Sequence, residues 1–142
     1  MKFFLASFLC SAVVFGQGLN PAALKNKPAN AWPTYNGDYS GRRFSDLDQI
    51  NTSNVQNLAL AWAARFTSTN GSVTIKATPL LVNGVLYFSS PNNVWAADVR
   101  TGRELWHYQY PPNTGSTIGN RGLGMYENWL FFETPDSHLV SL

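Results

Sequence analysis

Few residues of this chain are of types that do chemistry, and their spacing narrows the field further. The two histidines, His107 and His138, fall at unrelated strand positions and form no metal-ligand pair. Cys10 is the only cysteine and lies inside an apolar N-terminal run, so the rest of the chain has no disulfide, no thiolate metal site and no Cys-x-x-Cys-His haem attachment. Asp98 opens a turn and Asp136 matches Asn92 in a repeat described below, so both read as local caps rather than catalytic acids. The remaining candidates are cationic: Arg121, within Gly119-Asn-Arg-Gly122, and Lys76, three residues before Pro79. A guanidinium is a planar fork that can grip paired oxygens, whereas an ammonium is a point charge on a flexible stem. On the residues alone, Arg121 reads as an inter-strand-loop arginine facing a carboxylate or carbonyl, and Lys76 as a solvated strand-edge lysine. No catalytic residue and no metal ligand can be named.

The elements that must position these side chains are legible in a repeat. Trp62 and Trp106 stand 44 residues apart, and their surroundings match at the same offset. Asn83 to Asn92 falls on Glu127 to Asp136, which pairs Leu86 with Leu130, Tyr87 and Phe88 with Phe131 and Phe132, and Pro91 with Pro135. On this offset His138 to Leu142 aligns with Val94 to Asp98. A period of about 40–50 residues built from short strands and turns marks a β-propeller, in which each four-stranded blade buries its faces only against its neighbours. The expected fold class is therefore all-β, a β-propeller represented by fewer than two complete blades, where closed propellers have typically 4–8.

One nearly regular blade can be traced. It runs from Thr78 to Val82, through Asn83-Gly84 into Val85 to Ser90, through Pro91-Asn92-Asn93 into Val94 to Ala97, and through Asp98 to Gly102 into Arg103 to Tyr108. Asn83-Gly84 suits a two-residue hairpin because both central residues of a type I′ turn need positive φ. In Asp98-x-x-Thr-Gly102 the aspartate can accept from the turn's own backbone while glycine supplies the left-handed residue. Trp106 then lies on the outermost strand, where its large apolar surface can pack over a neighbouring blade. Leu58 to Phe66, which carries Trp62, reads as the last strand of another blade whose partners come from a missing C-terminal part. Ser53 reads as the N-cap of a short helix before it. Asn36-Gly37 and Ser40-Gly41 mark tight turns between the aromatic anchors of residues 32–45.

Met1-Lys2, the apolar run Phe3 to Phe15, and the small residues Val14 and Gly16 before Gln17 have the pattern of a secretory signal peptide, residues 1–16. The run is shorter than the ~20 residues that cross a bilayer, so no transmembrane span is expected. Residues 17–31, rich in Asn, Pro and Ala, read as a linker, and residues 32–142 as the partial propeller. Aromatics make up 14% and charged residues 13%, which suits an exported all-β protein in the periplasm or medium. The net charge of +2 is scattered rather than clustered, so nucleic-acid binding has no support.

Ala97-Asp-Val-Arg-Thr-Gly-Arg-Glu-Leu-Trp106 resembles the repeat of proteins that bind pyrroloquinoline quinone (PQQ). Three further stretches strengthen that likeness: Trp32 to Ser45, Ile50 to Leu58 with Ala61-Trp62, and Gly119-Asn-Arg-Gly122. In this order, over residues 32–142, they are similar to the N-terminal part of PQQ-dependent alcohol dehydrogenases. The resemblance implies an eight-bladed propeller holding PQQ and Ca2+, or a lanthanide, near its axis. It further implies oxidation of an alcohol or sugar, with electrons passing to an acceptor such as a cytochrome c or quinone. It gives Arg121 the role of contacting the quinone oxygens, a role that suits a guanidinium fork facing developing negative charge. Lys76 stands where many relatives carry a cofactor-contacting glutamate, and as a lysine it would approach a PQQ carboxylate instead. Gly115-Ser116 replace the adjacent cysteines of many members. The family's catalytic aspartate and metal ligands lie beyond the matched stretch, so this segment is not expected to be active alone.

Propellers of the same repeat type also include non-enzymatic scaffolds of envelope assembly. Trp32 to Ser45 and the Asn-Arg-Gly sequence favour the enzyme, since a scaffold has no use for a quinone-facing arginine.

Overall fold

In a computed structural model of the chain, which describes residues 18–68, 74–111 and 121–142, Asn83 (φ 50°) and Gly84 (φ 78°) turn the first hairpin in the left-handed conformation expected of them. The hairpin joins β1 (Leu80–Val82) to β2 (Val85–Ser90). Strands β3 (Asn93–Asp98) and β4 (Glu104–Gln109) complete a four-stranded antiparallel sheet in the order β1-β2-β3-β4. A second antiparallel sheet follows, β5 (Gly124–Tyr126), β6 (Trp129–Glu133) and β7 (Leu139–Ser141), in chain order. The proposed signal peptide with Cys10, and Gly115, Ser116, Gly119 and Asn120, lie outside the described residues.

Asp98 builds the turn between β3 and β4 as its sequence suggested. Its Oδ1 accepts from Arg100 N (3.0 Å), Thr101 N (2.9 Å) and Thr101 Oγ1 (2.8 Å), while Gly102 takes φ 70°. These hydrogen bonds, the one from the Thr101 hydroxyl foremost, hold the Asp98 carboxyl below its ordinary range.

Side chains alternate across β2, so the first sheet has two buried faces. One carries Phe88, Trp95 and Ala97, with Phe66 packed edge-on to Phe88 at 4.8 Å between ring centroids. The other carries Leu80 and Val94, which cluster with Leu123, Leu130 and Phe132 from the second repeat. Both faces of β3 are therefore covered, and Val94, Trp95 and Ala96 have no exposed surface. Burying a side chain such as Phe132 in this seam contributes about 1.5–3 kcal/mol. Blade-on-blade packing thus accounts for the stability that a lone sheet would lack.

The 44-residue offset holds for the first two strands of each sheet and slips by one in the third. Tyr87 pairs with Ala96, but Phe131 pairs with Ser141 rather than Val140. The cause is an extra residue in the connection: Pro135-Asp136-Ser137 stand where Pro91-Asn92 suffice, with Ser137 at φ 67° and Thr134 N donating to His138 O at 2.9 Å. His138 is thereby a turn residue, not a strand residue.

Two local expectations are corrected. Residues 18–31 pack instead of linking: Leu19 and Leu24 are buried against Val82, Leu19 N donates to Glu127 O at 2.7 Å, and Pro21–Lys25 form a 3-10 helix capped by Asn20. Apolar residues in an otherwise polar stretch explain why it docks. Ser53 does not cap the short 3-10 helix Val55–Asn57; its hydroxyl goes to Asn51 Oδ1 at 2.5 Å, in an Asx turn that also takes Ser53 N. Leu58 to Phe66, whose ladder partners were expected from a missing C-terminal part, joins no ladder among the described residues. Among the described residues it is held chiefly through Trp62, whose Nε1 donates to Val99 O, and Phe66, which packs on Phe88.

Candidate functional site

The residues leading into β1 and β5 lie side by side. Leu123, buried at the edge of the shared core, fixes the approach to β5, and Gly122 adopts φ 145°, a conformation that side-chain-bearing residues rarely take. A β-carbon at Gly122 would stand 3.5 Å from the Thr78 carbonyl oxygen and 3.9 Å from Ala77 Cβ. Arg121 is carried at the mouth of this junction, exposed and without a hydrogen bond or ion pair among the described residues. It lines a cleft of about 430 Å³ together with Tyr35, Thr78, Phe131, Glu133 and Leu139.

The N-terminal segment supplies one wall of the cleft. Trp32 and Leu81 exchange backbone hydrogen bonds, Trp32 N to Leu81 O at 2.7 Å and Leu81 N to Trp32 O at 2.9 Å, which lays the following turns against β1. Gly37 (φ 89°) and Gly41 (φ 72°) form those turns, and Asp38, buried, accepts from Ser40 N at 2.8 Å. The Ser40 hydroxyl bond is the main reason the Asp38 carboxyl is held below its ordinary range. Tyr35 is thereby brought to the cleft, and Arg43 to Tyr35: the Arg43 guanidinium lies 5.0 Å from the ring centroid, and its Nη2 donates to Thr78 Oγ1 at 3.3 Å. Sequence reasoning gave no site role to Tyr35, Arg43 or Thr78. The Trp32–Leu81 bridge helps bring Tyr35 and Arg43 beside Thr78 and Arg121, and a single pair of bonds leaves no periodic trace in the chain.

Lys76 is exposed two residues before Thr78 and does not line the cleft. The two histidines are apart in role as well as in sequence. His107 stacks on Trp95 at 4.7 Å with its Nε2 2.9 Å from Asn93 Oδ1, and His138 Nδ1 lies 3.2 Å from Asp136 Oδ1 in the β6–β7 turn. Asp136 also accepts from the Thr134 hydroxyl and, at 3.4 Å, from Tyr110, as a turn cap does. Among the described residues no three His, Cys, Asp or Glu side chains gather as a metal site. The cleft offers a guanidinium fork, unpaired among the described residues, beside hydroxyl and aromatic groups and the Glu133 carboxylate, and the fork can take an anion.

The family model described as PQQ, glucose/ethanol/alcohol dehydrogenase, beta-propeller domain, matches residues 32–142. The chain is 36% identical to the quinohemoprotein alcohol dehydrogenase of Comamonas testosteroni, over all of this chain and 23% of that protein. It is 37% identical to the dehydrogenase subunit of the alcohol dehydrogenase (quinone) of Gluconacetobacter polyoxogenes, over 89% of this chain and 18% of that one. The fold is similar to the crystal structure of the Comamonas testosteroni quinohemoprotein alcohol dehydrogenase, with a TM-score of 0.73 and 30% identity over 87% of this chain and 19% of that one. A europium-containing methanol dehydrogenase is similar at a TM-score of 0.68 and 29% identity, over 84% of this chain and 22% of that one. The chain thus spans between 18% and 23% of the length of these relatives. Two antiparallel sheets built on one repeat, Arg121 exposed at their junction and a family match over residues 32–142 lead to one conclusion: the chain belongs to the PQQ-dependent alcohol dehydrogenase β-propeller family.

Proposed function

We propose that this chain is the N-terminal part of an exported PQQ-dependent dehydrogenase that oxidises an alcohol or sugar. The observation that carries the reading is Arg121, a guanidinium without a protein partner among the described residues, held in a cleft at the junction of two blades. PQQ is a tricarboxylate with an ortho-quinone, and such a guanidinium fits it in charge and in bidentate geometry. When bound, PQQ supplies the hydride acceptor, and a divalent calcium or a lanthanide, held by residues beyond those described, supplies Lewis acidity.

This chain's own residues do the binding and orienting. Arg121 donates to the quinone oxygens and stabilises negative charge on them, Gly122 lets the backbone pass close to β1, and Tyr35 and Thr78 bound the cleft. Lys76, on the same approach to β1, is assigned to a cofactor carboxylate. Export is supported by the pattern of residues 1–16. The electron acceptor is assigned as a cytochrome c or a quinone, in keeping with the names of the relatives 1-butanol dehydrogenase (cytochrome c) of Thauera butanivorans and the quinone-linked subunits.

The test is to produce the complete protein, determine its N-terminus, and add PQQ with Ca2+ or a lanthanide before assaying alcohols and sugars with an artificial electron acceptor. Stoichiometric PQQ uptake with substrate-dependent dye reduction and a mature start at or near Gln17 is the expected result. A protein that folds but takes up no PQQ would instead be an assembly or binding scaffold of the envelope, and an intact Met1 on exported protein would refute signal cleavage.

A further inference from the structure

Arg43 reaches the Arg121 cleft from a distant part of the chain. Its backbone sits at φ 54°, unusual for a residue with a side chain, and its guanidinium ends on two groups that both line the cleft, the Tyr35 ring and the Thr78 hydroxyl. Thr78 in turn presents its carbonyl oxygen toward Gly122, the residue after Arg121, at 3.5 Å from where a β-carbon would be. One exposed side chain therefore ties the N-terminal wall of the cleft to the entry of β1, next to Arg121.

Such contacts add little to folding. An exposed hydrogen bond of this length and an exposed cation over a ring are each worth a fraction of a buried interaction. Their leverage is geometric, because a ligand held by a planar fork is sensitive to displacements of about 1 Å in the groups that confine it. We infer that Arg43 is a positioning residue for the Arg121 cleft, fixing Tyr35 and Thr78 so that a carboxylate-bearing ligand meets the Arg121 fork in one orientation. The identification of that ligand as PQQ rests on the proposed function.

The experiment is a fluorescence titration of the metal-loaded, PQQ-free complete protein with PQQ, alongside thermal melts of the same preparations. Arg43→Met is expected to weaken PQQ binding about tenfold with little change in the melt of the PQQ-free protein. Thr78→Val should do the same, and the double variant should be no worse than either, since both remove one linkage. Arg43→Lys, which keeps a cation over Tyr35 and a donor for Thr78, should recover most of the affinity, and Thr78→Ser should behave as wild type. The inference is overturned by unchanged PQQ affinity in Arg43→Met, by additive losses in the double variant, or by an affinity loss that tracks a fall in melting temperature. If Arg43→Met does not fold, Thr78→Val against Thr78→Ser decides, and equal affinity in those two sinks the idea. Wild-type protein that takes up no PQQ overturns the proposed function and this role together, whereas normal uptake by all variants overturns this role alone.

Discussion

The indole of Trp62 packs directly on the α-carbon of Gly102: a β-carbon there would stand 2.4 Å from Trp62 Cε3. The indole Nε1 donates to Val99 O at 3.1 Å, in the same turn that Asp98 organises. A tryptophan from one repeat thus caps the β3–β4 turn of the next, and glycine is required at position 102 twice over, by its φ of 70° and by the ring.

Gly102→Ala should therefore destabilise the complete protein by about 2–4 kcal/mol, combining left-handed strain with overpacking against an indole. Chemical denaturation checks this, with Gly84→Ala as the comparison. Gly84 has positive φ but nothing within 4 Å of its built β-carbon, so it should lose only the conformational part. Equal losses at the two glycines would show that Trp62 does not press on the turn.

Asp98 gives a pH signature. Its carboxyl is held below the ordinary value of 3.8, chiefly by the Thr101 hydroxyl. A depressed folded-state value means the stabilisation is complete above the unfolded-state value and disappears as pH falls through the folded one. The stability gap between wild type and Asp98→Ala should accordingly be constant at neutral pH and close progressively below about pH 3.8. A gap independent of pH down to 2 would mean that the ionised carboxylate does not hold the turn.

Arg121→Lys keeps the charge and loses the fork, so turnover of the PQQ-loaded protein should fall about 10²–10³-fold while the melting temperature of the PQQ-free protein stays put. Arg103, exposed beside β4, is the control, and Arg103→Lys should leave the rate unchanged. Steady-state kinetics and PQQ affinity together separate a ligand contact from a structural arginine; unfolding of Arg121→Lys would assign it to the architecture of the loop.

Residues Gln17 to Leu142 produced alone should form soluble aggregates or a weakly cooperative collapsed state. Large apolar side chains stand open on this segment, Leu60 at 84% exposure, Leu139 at 67% and Ile50 at 61%. Leu58 to Phe66 also lacks ladder partners among the described residues. Sedimentation velocity and thermal unfolding check this; a monodisperse monomer with one sharp transition would count against the reading of an N-terminal part.

The sequence by itself determined the repeat, the hairpin that opens the first sheet, the Asp98–Gly102 turn and the family. These rest on local chemistry and on recurrence: a positive-φ pair at Asn83-Gly84, a carboxylate three residues before a backbone it can cap, and apolar strand segments that recur at an offset of 44 residues. The string Gly119-Asn-Arg-Gly122 singles Arg121 out in the sequence, while its place in a cleft is a matter of the fold. The tertiary structure alone decided the rest. The docking of residues 18–31, the one-residue slip at Ser137, and the meeting of Tyr35, Arg43 and Thr78 at the Arg121 cleft depend on which distant surface a segment settles against. Leu19 reaches Glu127 and Trp32 reaches Leu81 through single bridges, and contacts between residues so far apart in the chain impose no periodicity that a sequence could display.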